Sequence, residues 1–449
     1  MNQLSFKVFA ILLIAVLSFY ICRTRFAFQK GNAIFSWIVN VQYLALQYPI
    51  KSYNDIPPKL IPACPSDWSR KHGRIYRIWN GMNPEIVLTQ PDDVKVVFKD
   101  SDMHTKAINN DAGRLMGELL GKCMGFVTGT EWRNVRASLE ESFTHKSATL
   151  RISRITRLTE EYFVDLHNNG RLNGGFLNPT KDLRLLAFWI VADYLYGELT
   201  PAAKLELMSL IPLRESLFRK VIQGGLTRFS WSKHLPSDTN RDLKMFKAGW
   251  RKFNDTAYET CKHVDEKIPT VLMYESIQND VTIGALSWNP IFLAANPTTQ
   301  AQLREEIRGV RKEEWVEYIS KSNTLLAFAV LESARLKPTA AFSIPQAAPE
   351  TRVTEGFSVP GGTNFVVDTH SLNIRNPYEG LTIRSIGLLA FWTEKVRDAV
   401  PLLAIRLWSR QCLEKYLANM IIRVLVAHLL DHYQLTFTST SKRDKDPKI

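Results

Sequence analysis

Short runs that suit strands open the chain's folded part. Arg74–Arg77 and Glu85–Thr89, in the stretch GRIYRIWNGMNPEIVLTQP, are separated by the turn-forming pair Asn80-Gly81. From Pro91 onward the pattern changes, and apolar residues recur three and four apart, the spacing of one helix face. This spacing predicts helices over Gly129–Phe143, Arg151–Asn168, Lys181–Leu195, Asp242–Asp265, Thr298–Arg311 and Leu413–Asp431. Leu325–Leu331 is almost wholly apolar and runs into Glu332-Ser333-Ala334-Arg335, after which Lys337-Pro338 ends the helix. A strand pair is expected near Ser358–Thr369 around the Pro360-Gly361-Gly362 turn, and no internal repeat appears. The sum is a mainly α, single-domain protein with a small sheet.

The first 65 residues follow another pattern. Val8 to Cys22 is apolar and uncharged, with Lys7 before it and Arg23, Arg25 and Lys30 after it. A spanning helix needs about 20 residues, and a signal peptide's apolar core runs about 7–15. No small-residue cleavage site follows Cys22, which favours an uncleaved membrane anchor over residues 1–30; a removed signal peptide is the alternative. The greater basic charge beyond the run places the rest of the chain on the cytosolic side. Residues 31–65 follow as a linker, whose prolines between Tyr48 and Pro65 forbid a helix and stiffen the connection. A globular body over 66–437 and a polar tail over 438–449 complete the organisation.

Composition narrows the function classes. With 45% hydrophobic and 22% charged residues, the 449-residue chain is globular, neither disordered nor fibrous. Its net charge of +13 suits an anionic membrane or an acidic protein partner. The basic residues are scattered, with no compact run except near Ser441–Lys448, so nucleic acid is not expected as a partner. Five widely spaced cysteines, without a CxxC pair or a His/Cys cluster, indicate neither a zinc site nor a disulfide scaffold.

Three constellations carry chemistry. Glu332 and Arg335, three apart on an apolar helix, can form a buried ion pair, although surface helices also carry many such pairs. Cys412 sits at the mouth of the apolar helix Leu417–Leu430, where a helix N-terminus favours thiolate, and Arg410 lies two residues before it. The bland alternative for Cys412 is an inert core cysteine. Trp132 and Arg136, one turn apart, bring an indole N–H and a guanidinium to one helix face, both able to donate to a ligand carboxylate. An ordinary amphipathic helix would show the same pair.

The order of these elements is informative. A WxxxR helix precedes a helix with an acid and a threonine (Asn279-Asp280-Val281-Thr282), then ExxR, then Asn373-Ile374-Arg375-Asn376-Pro377, then a cysteine two residues after an arginine. That plan resembles the cytochrome P450 family over about Ser66 to Phe437, and among its branches those of filamentous fungi that tailor secondary metabolites. The resemblance implies an α-rich P450 fold and a haem cofactor with Cys412 as thiolate ligand to the iron. It implies that Glu332 and Arg335 hold the segment beneath the haem and that Trp132, Arg136 and Arg410 contact its propionates. Asp280 and Thr282 would lie in the distal helix that relays protons to oxygen. The expected reaction is oxidation of an apolar small molecule with electrons from an NADPH-cytochrome reductase, at the endoplasmic reticulum membrane.

The chain departs from the family pattern in two places. The family's haem loop reads Phe-x-x-Gly-x-Arg-x-Cys-x-Gly, but here Ile405 replaces the Phe, Trp408 the first Gly and Glu414 the second. Side chains there crowd a backbone that must approach the porphyrin closely. Reading the codons of Ala399–Ser409 from their second base permits Arg-Tyr-Arg-Tyr-Trp-Arg-Phe-Gly-Phe-Gly-Pro, an intact loop when followed by Arg410-Gln411-Cys412. A frame error beginning near Gly380 and ending before Arg410 is therefore expected; it does not explain Glu414. In the distal helix, only about a dozen residues separate Pro269 from Thr282, and Val281 splits the acid from the threonine. Its first half is expected to be missing, as from a lost exon. Two readings follow: an active monooxygenase, or a non-catalytic, membrane-tethered relic of the same fold. A third, an unrelated helical membrane-associated protein, does not account for the motif order.

Overall fold

A computed structural model describes residues 44–47 and 68–437, apart from a few short segments and two longer stretches, 261–279 and 375–411. The anchor over 1–30, the Pro-bearing segment 48–65, Ile405, Trp408, Arg410 and the tail lie outside the described residues. No helix among the described residues is long and apolar enough to cross a membrane.

The strands are β1 (Leu44–Gln47), β2 (Ile75–Asn80), β3 (Asn83–Leu88), β4 (Thr105–Lys106), β5 (Gln346–Ala347), β6 (Arg352–Thr354), β7 (Phe357–Val359) and β8 (Asn364–Val367). The helices that matter below, in chain order, begin with α1 (Pro91–Phe98), α2 (Arg114–Leu120), α3 (Gly129–Glu140), α4 (His145–Leu150) and α5 (Ile152–Asn168). There follow α6 (Arg184–Tyr196), α7 (Pro201–Gln223), α8 (Asp238–Thr260), α9 (Asp280–Ala295) and α10 (Pro297–Arg308). The last are α11 (Trp315–Ser320), α12 (Leu325–Leu336), α13 (Thr369–Ile374) and α14 (Lys415–His432).

The helix-rich architecture matches the sequence expectation, and most expected helices lie within a few residues of their place. The stretch 31–65, expected as linker throughout, contributes β1, which pairs antiparallel with β2. One expectation fails outright. The strands flanking Pro360-Gly361-Gly362 do not pair with each other: β7 forms a two-stranded sheet with β6, whereas β8 enters the main sheet. The cause is local. Gly361 lies so close to Pro349 that an added Cβ would come within 2.5 Å of its carbonyl oxygen, and Gly362 takes φ 80° while donating to Ala348 O at 2.8 Å. The turn thus crosses between sheets instead of closing a hairpin. The hairpin forms at Glu355-Gly356, both with positive φ, as a tight two-residue turn needs.

The main sheet has the order β1-β2-β3-β8-β5-β4, with β3 and β8 parallel and the other neighbours antiparallel. Small apolar clusters cover it: Ile86, Leu88, Val94, Val97 and Phe365 form one, and Tyr76, Ile78, Val87 and Val366 the other. The large core belongs to the helices. α14 lies within it, burying Leu417, Met420, Ile421, Val424, Leu425 and Leu429 on successive sides, and it packs against α5, α9, α10 and α12. A helix apolar nearly all round is stable only when surrounded in this way. Its single buried charge, Arg423, donates Nη1 to Ile319 O at 2.8 Å and Lys321 O at 2.6 Å, satisfying carbonyls at the end of α11.

Candidate active site

The apolar run Leu325–Leu331 does what its composition demands. Thr324 caps α12 by accepting from Ala327 N at 3.1 Å, and the Glu306 carboxylate accepts from Leu325 N at 3.1 Å and Leu326 N at 3.4 Å. The helix then carries Glu332 and Arg335 into the interior, where they are 1% and 4% exposed. Arg335 donates Nε to Glu332 Oε2 at 2.8 Å and Nη2 to Oε1 at 2.7 Å, a two-pronged pair. Its third arm, Nη1, donates to Asn373 O at 3.1 Å. The ion pair therefore holds the end of α13, immediately before the stretch 375–411 that the sequence expects beneath the haem.

Cys412 precedes the turn Leu413-Glu414 that opens α14, and it is exposed and forms no disulfide. Leu413 is buried, and Ala418 N donates to Glu414 O at 2.9 Å, closing the first helical turn. A helix N-terminus in general favours thiolate over thiol. Glu414, in the place of a family glycine, has φ −81° and gives the helix no side-chain cap. Its carboxylate lies within electrostatic reach of Tyr194. Burial pushes the Tyr194 phenol above its usual range; the Arg151 guanidinium, 5.4 Å above the ring, opposes this and Glu414 reinforces it.

The sequence-predicted residues are partly brought together. α12, with the ion pair, packs against α14, the cysteine helix, and α9 packs against both. α3 is joined through the turn Glu141–Phe143 to α4, which packs on α14. On α3, Trp132 is buried; Arg136 lies mostly covered and donates to Glu140 Oε1 at 3.4 Å. Asp280 and Thr282 fall in the first turn of α9, and their side chains lie outside the described residues, as does Arg410. A cleft of about 950 Å³ elsewhere, between α10, α11 and the start of α12, is lined by Glu305, Glu306, Glu314, Glu317 and Lys321 and by none of the candidate residues.

In chemistry the described donors suit a haem: a cysteine sulfur is a ligand type that holds haem iron, and the indole and guanidinium of α3 are donors suited to carboxylates. Gln346 in β5 is 4% exposed, and its Oε1 is buried without a hydrogen-bond partner.

Comparison with known proteins places this arrangement. The family model of cytochrome P450 matches residues 61–282 and 272–377. The two matches overlap over residues 272–282, where the first half of the distal helix is expected to be missing, and the second ends at Pro377, just short of the point near Gly380 where a frame error is expected to begin. Among curated proteins, the cytochrome P450 monooxygenase asaD of Aspergillus flavus is 38% identical, the alignment covering 94% of this chain and 90% of that protein. The monooxygenase aclC of Aspergillus oryzae is 38% identical, with 88% and 89% covered, and gliC of Aspergillus fumigatus 34% identical, with 84% and 80% covered.

Proposed function

The chain belongs to the cytochrome P450 family, a monooxygenase with a haem-thiolate cofactor, and from that premise we propose that it oxidises an apolar small molecule in fungal secondary metabolism. When bound, the haem supplies oxygen activation for the insertion of one oxygen atom. Cys412 would hold the iron as a thiolate, a ligand that gives electron density to the metal. Trp132, Arg136 and Arg410 would hold the propionates. Glu332 and Arg335 fix the end of α13, and with it the start of the segment that passes beneath the cofactor. Asp280 and Thr282, at the start of α9, hold and pass a proton toward the distal side through water. The electron donor is an NADPH-cytochrome reductase, whose acidic surface meets the basic surface of this chain. The anchor over residues 1–30 tethers the enzyme to the endoplasmic reticulum, with its body in the cytosol.

The observation that carries this reading is the convergence of α12, α14 and α9, which sets the buried Glu332–Arg335 pair beside the helix opened by the exposed Cys412. A second reading, a membrane-tethered relic that binds haem poorly, is favoured by Ile405, Trp408 and Glu414 in the places of a Phe and two Gly. A reduced, carbon-monoxide difference spectrum of the purified full chain separates them. A thiolate-type Soret band supports the enzyme, and its loss in Cys412→Ala identifies the ligand. No haem uptake supports the relic.

A further inference from the structure

Imidazole is the commonest protein ligand for late first-row metal ions, and two imidazoles one helical turn apart lie on the same side of a helix. The last turns of α14 carry such a pair, His428 and His432. Their ring centroids stand 4.6 Å apart, with the planes inclined at 49°. His428 is half-buried and packed against the ring of Phe163 on α5, 4.5 Å away, whereas His432 is exposed at the end of the helix. Among the described residues neither imidazole forms a hydrogen bond, so their nitrogen lone pairs are not committed elsewhere.

The spacing fits one ion. A metal–nitrogen bond of about 2.0–2.1 Å puts the ion about 3.2 Å from an imidazole centroid, so two rings at a right angle about the metal lie about 4.5 Å apart. That angle belongs to the square and octahedral fields of copper(II) and nickel(II), whereas tetrahedral zinc(II) would hold the centroids about 5.2 Å apart. The charge around the pair suits a cation as well. A helix C-terminus attracts positive charge, and His432 is the last residue of α14. Asp431 adds a carboxylate, shared with Arg308 Nε at 3.4 Å. Among the described residues no group of three or more His, Cys, Asp and Glu side chains could hold a metal, so the pair supplies two ligands and water the rest.

We propose that His428 and His432 form a two-histidine chelate for a divalent late first-row cation, copper(II) above all, at the far end of the helix that Cys412 opens. From Lys415 to His428 the helix rises about 20 Å, so the site is separate from the candidate haem site. A bound ion ties together the last turn of α14 and stabilises the folded chain by mass action.

The full chain, its exposed thiols alkylated beforehand, is titrated with CuCl2 in a non-coordinating buffer near neutral pH. The titration gives the affinity, and electron paramagnetic resonance of the one-to-one sample counts the nitrogen ligands. His432→Gln changes an exposed side chain, and His428→Phe keeps an aromatic ring against Phe163; circular dichroism checks that both fold. The wild type is expected to show two nitrogen ligands and to keep its copper in excess MgCl2, a hard ion that prefers oxygen. Each variant should lose the two-nitrogen signal and bind at least about tenfold more weakly, since removing even an outer-shell partner costs about 10–100-fold. Copper held alike by wild type and both variants overturns the proposal and moves the ion to another group. Binding that survives in one variant, displacement by MgCl2, or equal affinity in guanidinium chloride, where no helix sets the spacing, overturns it too. The readout needs no haem, so its failure and a failure of haem binding are distinguishable.

Discussion

Replacing Glu332 by Ala takes the carboxylate partner away from the Arg335 guanidinium, which is 4% exposed. Two hydrogen bonds of 2.7 and 2.8 Å disappear, and a full positive charge remains in the interior. Breaking a buried pair in this way costs about 3–5 kcal/mol, mostly the penalty of the stranded partner. Arg335→Ala should cost a similar amount, because it strands the Glu332 carboxylate and releases the Asn373 carbonyl. The double variant Glu332→Leu/Arg335→Met removes both charges and keeps the volume, leaving the Asn373 carbonyl without this donor, at about 1–3 kcal/mol. For a chain of 449 residues, unfolding entropy of about 2.1 cal/mol/K per residue converts 4 kcal/mol into roughly 4 °C of melting temperature. The measurement is a thermal scan of the four haem-free proteins at one scan rate. The double variant is expected to melt closer to wild type than either single one, while its haem loss accelerates because Asn373 is no longer held. A double variant destabilised by the sum of the singles refutes the argument, since the pair would then be contributing net stability instead of fixing geometry.

Two further outcomes follow from particular residues. His428 on α14 is packed against the rings of Phe163 and His432, with centroids 4.5 and 4.6 Å away. Burial, reinforced by the neighbouring His432 and opposed by Asp431, lowers its pKa to about 4. Between about pH 6.5 and pH 4 the unfolded chain therefore binds the proton that the folded one refuses, and stability must fall as pH falls through that window. His428→Phe should flatten the dependence of the denaturation midpoint on pH there; an unchanged slope removes the residue from the account. In the second, the eleven residues Ala399–Ser409 are replaced by Arg-Tyr-Arg-Tyr-Trp-Arg-Phe-Gly-Phe-Gly-Pro. Restored glycines let the loop approach the porphyrin, so haem content per chain should rise several-fold, read from absorbance; no rise rejects the frame argument, as do codons that cannot encode this loop.

What the sequence revealed and what it concealed divide along a physical line. Motifs that act within one element were legible: ExxR is a contact along a single helix face, and the mouth of α14 is marked by the switch from polar to apolar residues after Cys412. Contacts made between elements were not. The helix α7 escaped notice because Pro212 interrupts its apolar spacing, although packing against α8 keeps it continuous from Pro201 to Gln223. The turn at Gly361-Gly362 looked like a hairpin because local spacing cannot show that Pro349 blocks one side of it. For this chain the consequence is specific. The loop before Cys412 lies outside the described residues, whereas Trp132 and Arg136 stand on the described helix α3, far from the altered stretch in sequence. Haem affinity should therefore be reduced and not abolished, and the porphyrin that does bind should still distinguish propionates from their esters.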